Sequence, residues 1–341
     1  MTEETEVRPS RRNVDSALRW VVVALVAAIL GLGGLLGYTI WQTRQEESTA
    51  TPAQRALGEL EKFVKAQPNS AAGRVRYGEA LATAGMLKEA TQQFKAAVKL
   101  DEKHTGAWLD LGLVAMEAKD RTNAEKYFNK VVDLTTGSTY EAINQRRGVA
   151  FFHLGEIALD DRRYEEAAGY FKGSLRIKKD SSTTYYLLAN ALHGLGDDDA
   201  ALEQLDAALA FDPNYAEAHY LYGVLLLERK DRINAAVHLR KAVDLAPDSE
   251  LAKTAFAKLG TLDDAIKRSK EALAAGRDTD AVDEALLARQ IDPTSVEAIL
   301  AQARALVSRG DVKSAQTVAR EALKLDPKNA EAKRITQSTT P

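Results

Sequence analysis

The sequence predicts an all-α fold, an α-solenoid of helical hairpins behind one N-terminal transmembrane helix, and three observations predict it. Ala90, Ala124, Ala167, Ala201, Ala235, Ala281 and Ala315 occupy one slot in successive units, most of them 34 residues apart. Self-similarity of that period marks units that each bury an apolar face against the next. Prolines recur near the ends of several units, and an uncharged run from Trp20 to Trp41 precedes the series.

Taken in order, residues 1–19 read as a cytoplasmic tail, 20–41 as the transmembrane helix, 42–52 as a linker and 53–341 as the solenoid. The run WVVVALVAAILGLGGLLGYTIW carries no charge. At about 1.5 Å per residue it spans a hydrocarbon core about 30 Å thick. Arg8, Arg11, Arg12 and Arg19 lie before it, whereas Arg44 is followed by Glu46 and Glu47. This bias places the N terminus in the cytoplasm and the repeats on the outer or periplasmic side of a plasma (inner) membrane. A cleaved signal peptide is the competing reading, but its apolar core is usually about 7–15 residues and no clear A-x-A site follows here. Gly33 and Gly37 form a GxxxG spacing that permits close packing and a homodimer through the span, although small residues are common in membrane helices generally.

Units begin at Ala71, Thr105, Gly148, Ser182, Ala216, Leu262 and Val296, with longer steps of 43 before Gly148 and 46 before Leu262. The eighth residue is small in most (Gly78, Gly112, Gly155, Ala189, Gly223, Ala303), which lets two helices approach closely. The twenty-fourth is bulky in the earlier units (Phe94, Phe128, Phe171, Leu205, Leu239). Pro213, Pro247, Pro293 and Pro327 take the thirty-second place, where proline ends a helix and holds the preceding residue extended. Between the helices stand Lys119-Asp120, Gly196-Asp197, Lys230-Asp231 and Gly310-Asp311, in which Asp caps the second helix. Residues 137–147 read as an insertion and 250–260 as an extra helix that bends or interrupts the array. Ala53–Lys65 reads as an opening half unit, and Ala330–Gln337 as a polar closing helix.

Composition narrows the function classes. The net charge is −3, with acids and bases interspersed, which leaves no electrostatic footprint for nucleic acid. The absence of cysteine excludes disulfides, thiolate metal sites and a thiol nucleophile. The histidines, His104, His153, His193, His219 and His238, form no close metal pair, and Gly194–Asp199 reads as a capped turn rather than a phosphate or calcium loop. No catalytic residue, cofactor-binding residue or metal ligand is assigned, and an enzyme is not expected.

Trp108, Leu111, Gly112, Ala124 and Phe128 nearly write out one unit of the tetratricopeptide repeat, and the chain resembles that family over about residues 54–340. The resemblance implies that the first helix of each unit lines a concave groove through its second, fifth, ninth and twelfth residues. Those slots hold Leu109, Leu113 and Met116, then Phe152, Glu156 and Leu159, then Tyr186, Asn190 and His193, then Tyr220, Val224 and Leu227. For any one of these, core packing is the competing role. Acids, Glu228 among them, share this face while Lys and Arg are sparse. An apolar or amphipathic peptide or helix with some positive charge fits it. Some members clamp a C-terminal carboxylate with paired Lys and Asn. Only Asn190 stands in a comparable slot, so no clamp is expected.

The expected function is a membrane-tethered scaffold, assembly factor or chaperone that binds segments of membrane or exported proteins. In layout it is similar to bacterial envelope repeat proteins of that kind. The alternative is a regulatory or structural spacer subunit of a membrane complex, such as cytochrome c maturation or secretion machinery.

Overall fold

The computed structural model describes residues 51–338 together with Thr39. Apart from Thr39, the segment read as a membrane span, with Gly33 and Gly37, lies outside the described residues, as do the tail and nearly all of the linker. Among the described residues no helix is long and apolar enough to cross a membrane.

The described residues are helical, with no strand among them. In chain order the helices are α1 (Pro52–Ala66), α2 (Ala71–Thr83), α3 (Leu87–Leu100), α4 (Thr105–Glu117), α5 (Arg121–Thr135), α6 (Glu141–Asp160), α7 (Tyr164–Leu175), α8 (Ser182–Gly194) and α9 (Asp198–Phe211). They continue as α10 (Ala216–Glu228), α11 (Arg232–Leu245), α12 (Glu250–Ala257), α13 (Leu262–Ala274), α14 (Asp278–Ile291), α15 (Val296–Ser308), α16 (Val312–Leu325) and α17 (Ala330–Gln337). The chain divides into two units, residues 1–110 and 111–341, each described by itself.

In the first unit α1 packs on α2, and α2 pairs with α3. Pro52, read as closing the linker, is instead the first residue of α1, where its missing N–H leaves no bond unmade. Thr51 caps it in a reciprocal capping box with Gln54.

In the second unit the repeat slots are occupied as their chemistry requires. All seven repeat alanines of the chain have no solvent exposure. The eighth-slot glycines face the twenty-fourth-slot side chain of their own hairpin. A β-carbon on Gly112 would lie 2.4 Å from the Phe128 ring, one on Gly155 2.5 Å from Phe171, and one on Gly223 2.5 Å from Leu239. Where the eighth residue grows, its partner shrinks: Ala189 stands in the hairpin of Leu205, Ala303 in that of Ala319, and Ser269 in that of Ala285. Ser269, fully buried, donates its hydroxyl to the Ala281 carbonyl at 2.8 Å, so its polar atom is satisfied.

The turns behave as their residues dictate. Asp120, Asp197, Asp231 and Asp311 each accept from the backbone N–H three residues on, at 3.2 Å. The residue before each of these caps has positive φ: glycine at Gly196 and Gly310, lysine at Lys119 (59°) and Lys230 (64°). Asp212, Ala246, Asp292 and Asp326, each preceding a proline, are extended with φ between −129° and −140°.

Two irregular places differ in detail from the sequence reading. The insertion read at 137–147 is mostly helical: α6 begins at Glu141 and runs 20 residues, adding two turns to the front of a first helix. Tyr140, three-quarters exposed, marks the loop that remains. The extra helix is present as α12, and it packs on α11 in the place a first helix would take. α11 also packs directly on α14. Arg232 reaches Glu284 at 2.7 Å, and Arg240 donates to the Ile291 carbonyl at 3.0 Å. α17 closes the series by burying Ala332 and Ile335, and Arg304 of α15 pairs with its Glu331 at 2.8 Å.

Candidate protein-binding face

Three first helices of the second unit, α6, α8 and α10, carry the residues expected to contact a partner. Their inward positions (Leu154, Gly155, Leu188, Ala189, Leu221, Gly223) go to the core, and at helical period the remaining face must hold the slots in question. Phe152, Glu156, Tyr186, Asn190, His193, Tyr220 and Val224 are all half-buried, neither sealed in the core nor free on the surface. On α4, Leu113 is 37% exposed and Met116 half-buried. Leu109, in the first unit, is half-buried.

These side chains have neighbours of their own. The Phe152 ring meets Phe171 edge-on at 6.3 Å, and Tyr186 tilts against Tyr215 at 5.2 Å. The Asn190 amide donates to the Tyr186 carbonyl at 3.3 Å, so the asparagine is engaged within its own helix. Burial pushes the Tyr186 phenol above its ordinary pKa, which keeps it a neutral hydroxyl. Glu156 lies 2.7 Å from His153 Nδ1, and the His153 ring stacks on Phe128 at 5.2 Å.

A cleft of about 640 Å³ opens beside Phe152. Its walls include Glu141, Val149, Ile177, Lys178 and Thr183. Val149 and Thr183 stand in the second slot of their units. Glu141 lies in the stretch read as an insertion, outside the repeat slots, and so was not among the residues expected to line the groove.

A second cluster, also unanticipated, joins α10 to α11. His219 Nε2 reaches the Pro213 carbonyl at 3.1 Å and its Nδ1 lies 3.0 Å from His238 Nδ1. A carbonyl only accepts, so His219 carries its proton on Nε2, and His238 donates to its free Nδ1. The His238 ring stacks on Tyr222 at 4.0 Å and 7°. Burial lowers the pKa of both imidazoles, that of His238 to about 4 with a contribution from His219. Burial, with the Asp206 carboxylate nearby, pushes Tyr222 up to about 12.

Comparison with known proteins agrees with this architecture. Tetratricopeptide repeat models match residues 53–104, 85–139, 158–225, 216–249 and 300–336, together more than half of the chain. The chain belongs to the tetratricopeptide repeat family. Members of this family bind other proteins, in general as scaffolds without enzymatic activity. The chain is 24% identical over 152 residues to anaphase-promoting complex subunit 3 of Schizosaccharomyces pombe, covering 45% of this chain and 22% of that one. It is 21% identical over 216 residues to the human protein O-mannosyl-transferase TMTC3, covering 54% and 24%. It thus spans about a quarter of the length of these curated relatives. Among solved structures, YrrB, described as a TPR protein with an unusual peptide-binding site, superposes with a TM-score of 0.50. The identity is 23%, over 57% of this chain and 96% of YrrB, a likeness of fold.

Proposed function

We propose that this tetratricopeptide chain is a membrane-tethered scaffold, assembly factor or chaperone that holds peptide or helical segments of membrane or exported proteins along the first-helix face of α6, α8 and α10. One observation carries the reading: Phe152, Tyr186, Tyr220 and Val224 stay half-open although the core slots beside them are filled by side chains with no exposure. A row of large apolar groups left part-open at one helical face is the usual mark of a docking surface. That YrrB, of the same fold, is described with a peptide-binding site is in keeping with it.

The uncharged run Trp20–Trp41 and its flanking charges support an anchor in a plasma (inner) membrane, with the N terminus cytoplasmic and the repeats outside. Tethering confines the face to a thin layer and raises its effective concentration for partners there, so weak contacts suffice. The Gly33/Gly37 spacing would let two copies pair through the span.

The ring contacts Phe152–Phe171 and Tyr186–Tyr215 favour a second reading, a structural spacer whose face satisfies itself. The two separate in native membranes carrying a photoreactive residue at Tyr186. A scaffold gives discrete crosslinked partners that disappear on Phe152→Ala or Tyr220→Ala with the helical spectrum unchanged. A spacer gives none, or gives partners indifferent to those changes.

A further inference from the structure

We infer that His193, Asp198 and Glu228 form a binding site for a divalent transition-metal ion, with Zn²⁺ the ion best suited to the donor set. His193 stands in the last turn of α8, Asp198 opens α9 and Glu228 ends α10, so the three come together through the stacking of one hairpin on the next. One ligand atom from each lies within 4.8 Å of the other two, and His193 Nδ1 already stands 2.7 Å from Asp198 Oδ1. Donors about a four-coordinate zinc, at bonds of about 2.0–2.2 Å, stand about 3.3–3.6 Å apart. The exposed Glu228 has enough rotatable bonds to close the remaining distance. Asp198 and Glu228 have no Lys or Arg ion partner among the described residues, because the adjacent Arg229 is taken by Asp199 at 2.6 Å. Two carboxylates thus converge on one imidazole with no fixed cation between them, and a bound cation would relieve that repulsion.

The donor chemistry narrows the ion. An imidazole nitrogen with two carboxylate oxygens suits Zn²⁺ better than Ca²⁺ or Mg²⁺, which take oxygen ligands. Three protein ligands leave one position open for water or for a group on a partner. No other unit repeats the set, since the twelfth slot that holds His193 is Ala82, Met116, Leu159, Leu227, Leu273 or Val307 elsewhere. The site stands whether or not the first-helix face binds a peptide.

The test is titration of the full-length chain, purified in detergent and stripped with chelator, with Zn²⁺ by calorimetry and with Co²⁺ by visible absorption. One equivalent should bind, and cobalt should give the intense bands of a low-coordinate site. His193→Ala should weaken binding by more than about 100-fold, and Glu228→Gln, at an exposed helix end where the fold is not at stake, by at least about tenfold. Glu203→Gln, an exposed acid on α9 outside the cluster, should change nothing. Absence of a stoichiometric site, or affinity unaltered by both His193→Ala and Glu228→Gln, would overturn the assignment.

Discussion

Phe171 lies across Gly155, so near that a β-carbon on the glycine would come within 2.5 Å of the ring's Cε1. Two positions 16 residues apart are therefore one volume divided between two side chains, and the Ala189/Leu205 hairpin divides it differently. Gly155→Ala is expected to cost about 1–3 kcal/mol through overpacking, in spite of alanine's better helix propensity. Phe171→Leu alone leaves a void. The double variant should be more stable than the sum of the two changes by about 1 kcal/mol or more, read as a double-mutant cycle in denaturant. Simple additivity would show that the fit is not shared.

Lys230 is held at a φ of 64°, where a β-carbon meets the backbone. Lys230→Gly should therefore stabilise the chain by about 0.5–1 kcal/mol, although glycine is usually the poorer choice. The same change at Lys253, inside α12 and helical, should destabilise. The comparison needs thermal melts of both variants.

Asp231 accepts from Asn234 N–H and its other oxygen from the Asn234 amide at 2.7 Å. Asp231→Ala removes both bonds and should cost about 0.5–2 kcal/mol, whereas Asp231→Ser should recover much of the loss. Equal destabilisation by the two would assign the effect to something other than capping.

The His219–His238 pair sets a pH dependence whose sign is fixed. In the unfolded chain an imidazole titrates near about 6.5. In the folded chain His238 stays neutral down to about 4. Between these values the unfolded chain binds more protons, so stability falls as the pH drops through 6.5 and the effect levels off below about 4. His238→Phe keeps a ring over Tyr222 and removes the titration. The melting temperature of the variant should fall less than that of the parent over this window, and parallel profiles would dismiss His238 as the cause.

The fold was legible because its cause is local and repeated: alanine at full burial, glycine opposite a ring and aspartate at a cap recur at fixed spacing, and each has one physical reading. The extra helix α12 was visible as the stretch left over in the 46-residue step before Leu262. The lengthened α6 was not, since Glu141–Arg147 occupies no repeat slot and only the packing of its following turns reveals it as helix. The candidate face was partly legible. Slot counting found Phe152, Tyr186 and Tyr220, but the lining of the cleft by Glu141 and Ile177 depends on how one hairpin sits on the next. Likewise nothing in the spacing of His193 and Glu228, 35 residues apart, says that their donors converge. His219 and His238 read as scattered histidines until the pairing of α10 with α11 puts their nitrogens in contact.

The direct packing of α11 on α14, past the short α12, gives the chain a seam. The helices from α13 onward are joined to the preceding hairpins by a shared apolar cluster that includes Leu226, Leu239, Leu259, Ile266 and Leu287, and by the guanidinium bonds of Arg232 to Glu284 and Arg240 to the end of α14. Under load, the second unit has there a line along which its two sides can separate in steps, each side still locked within its own hairpins.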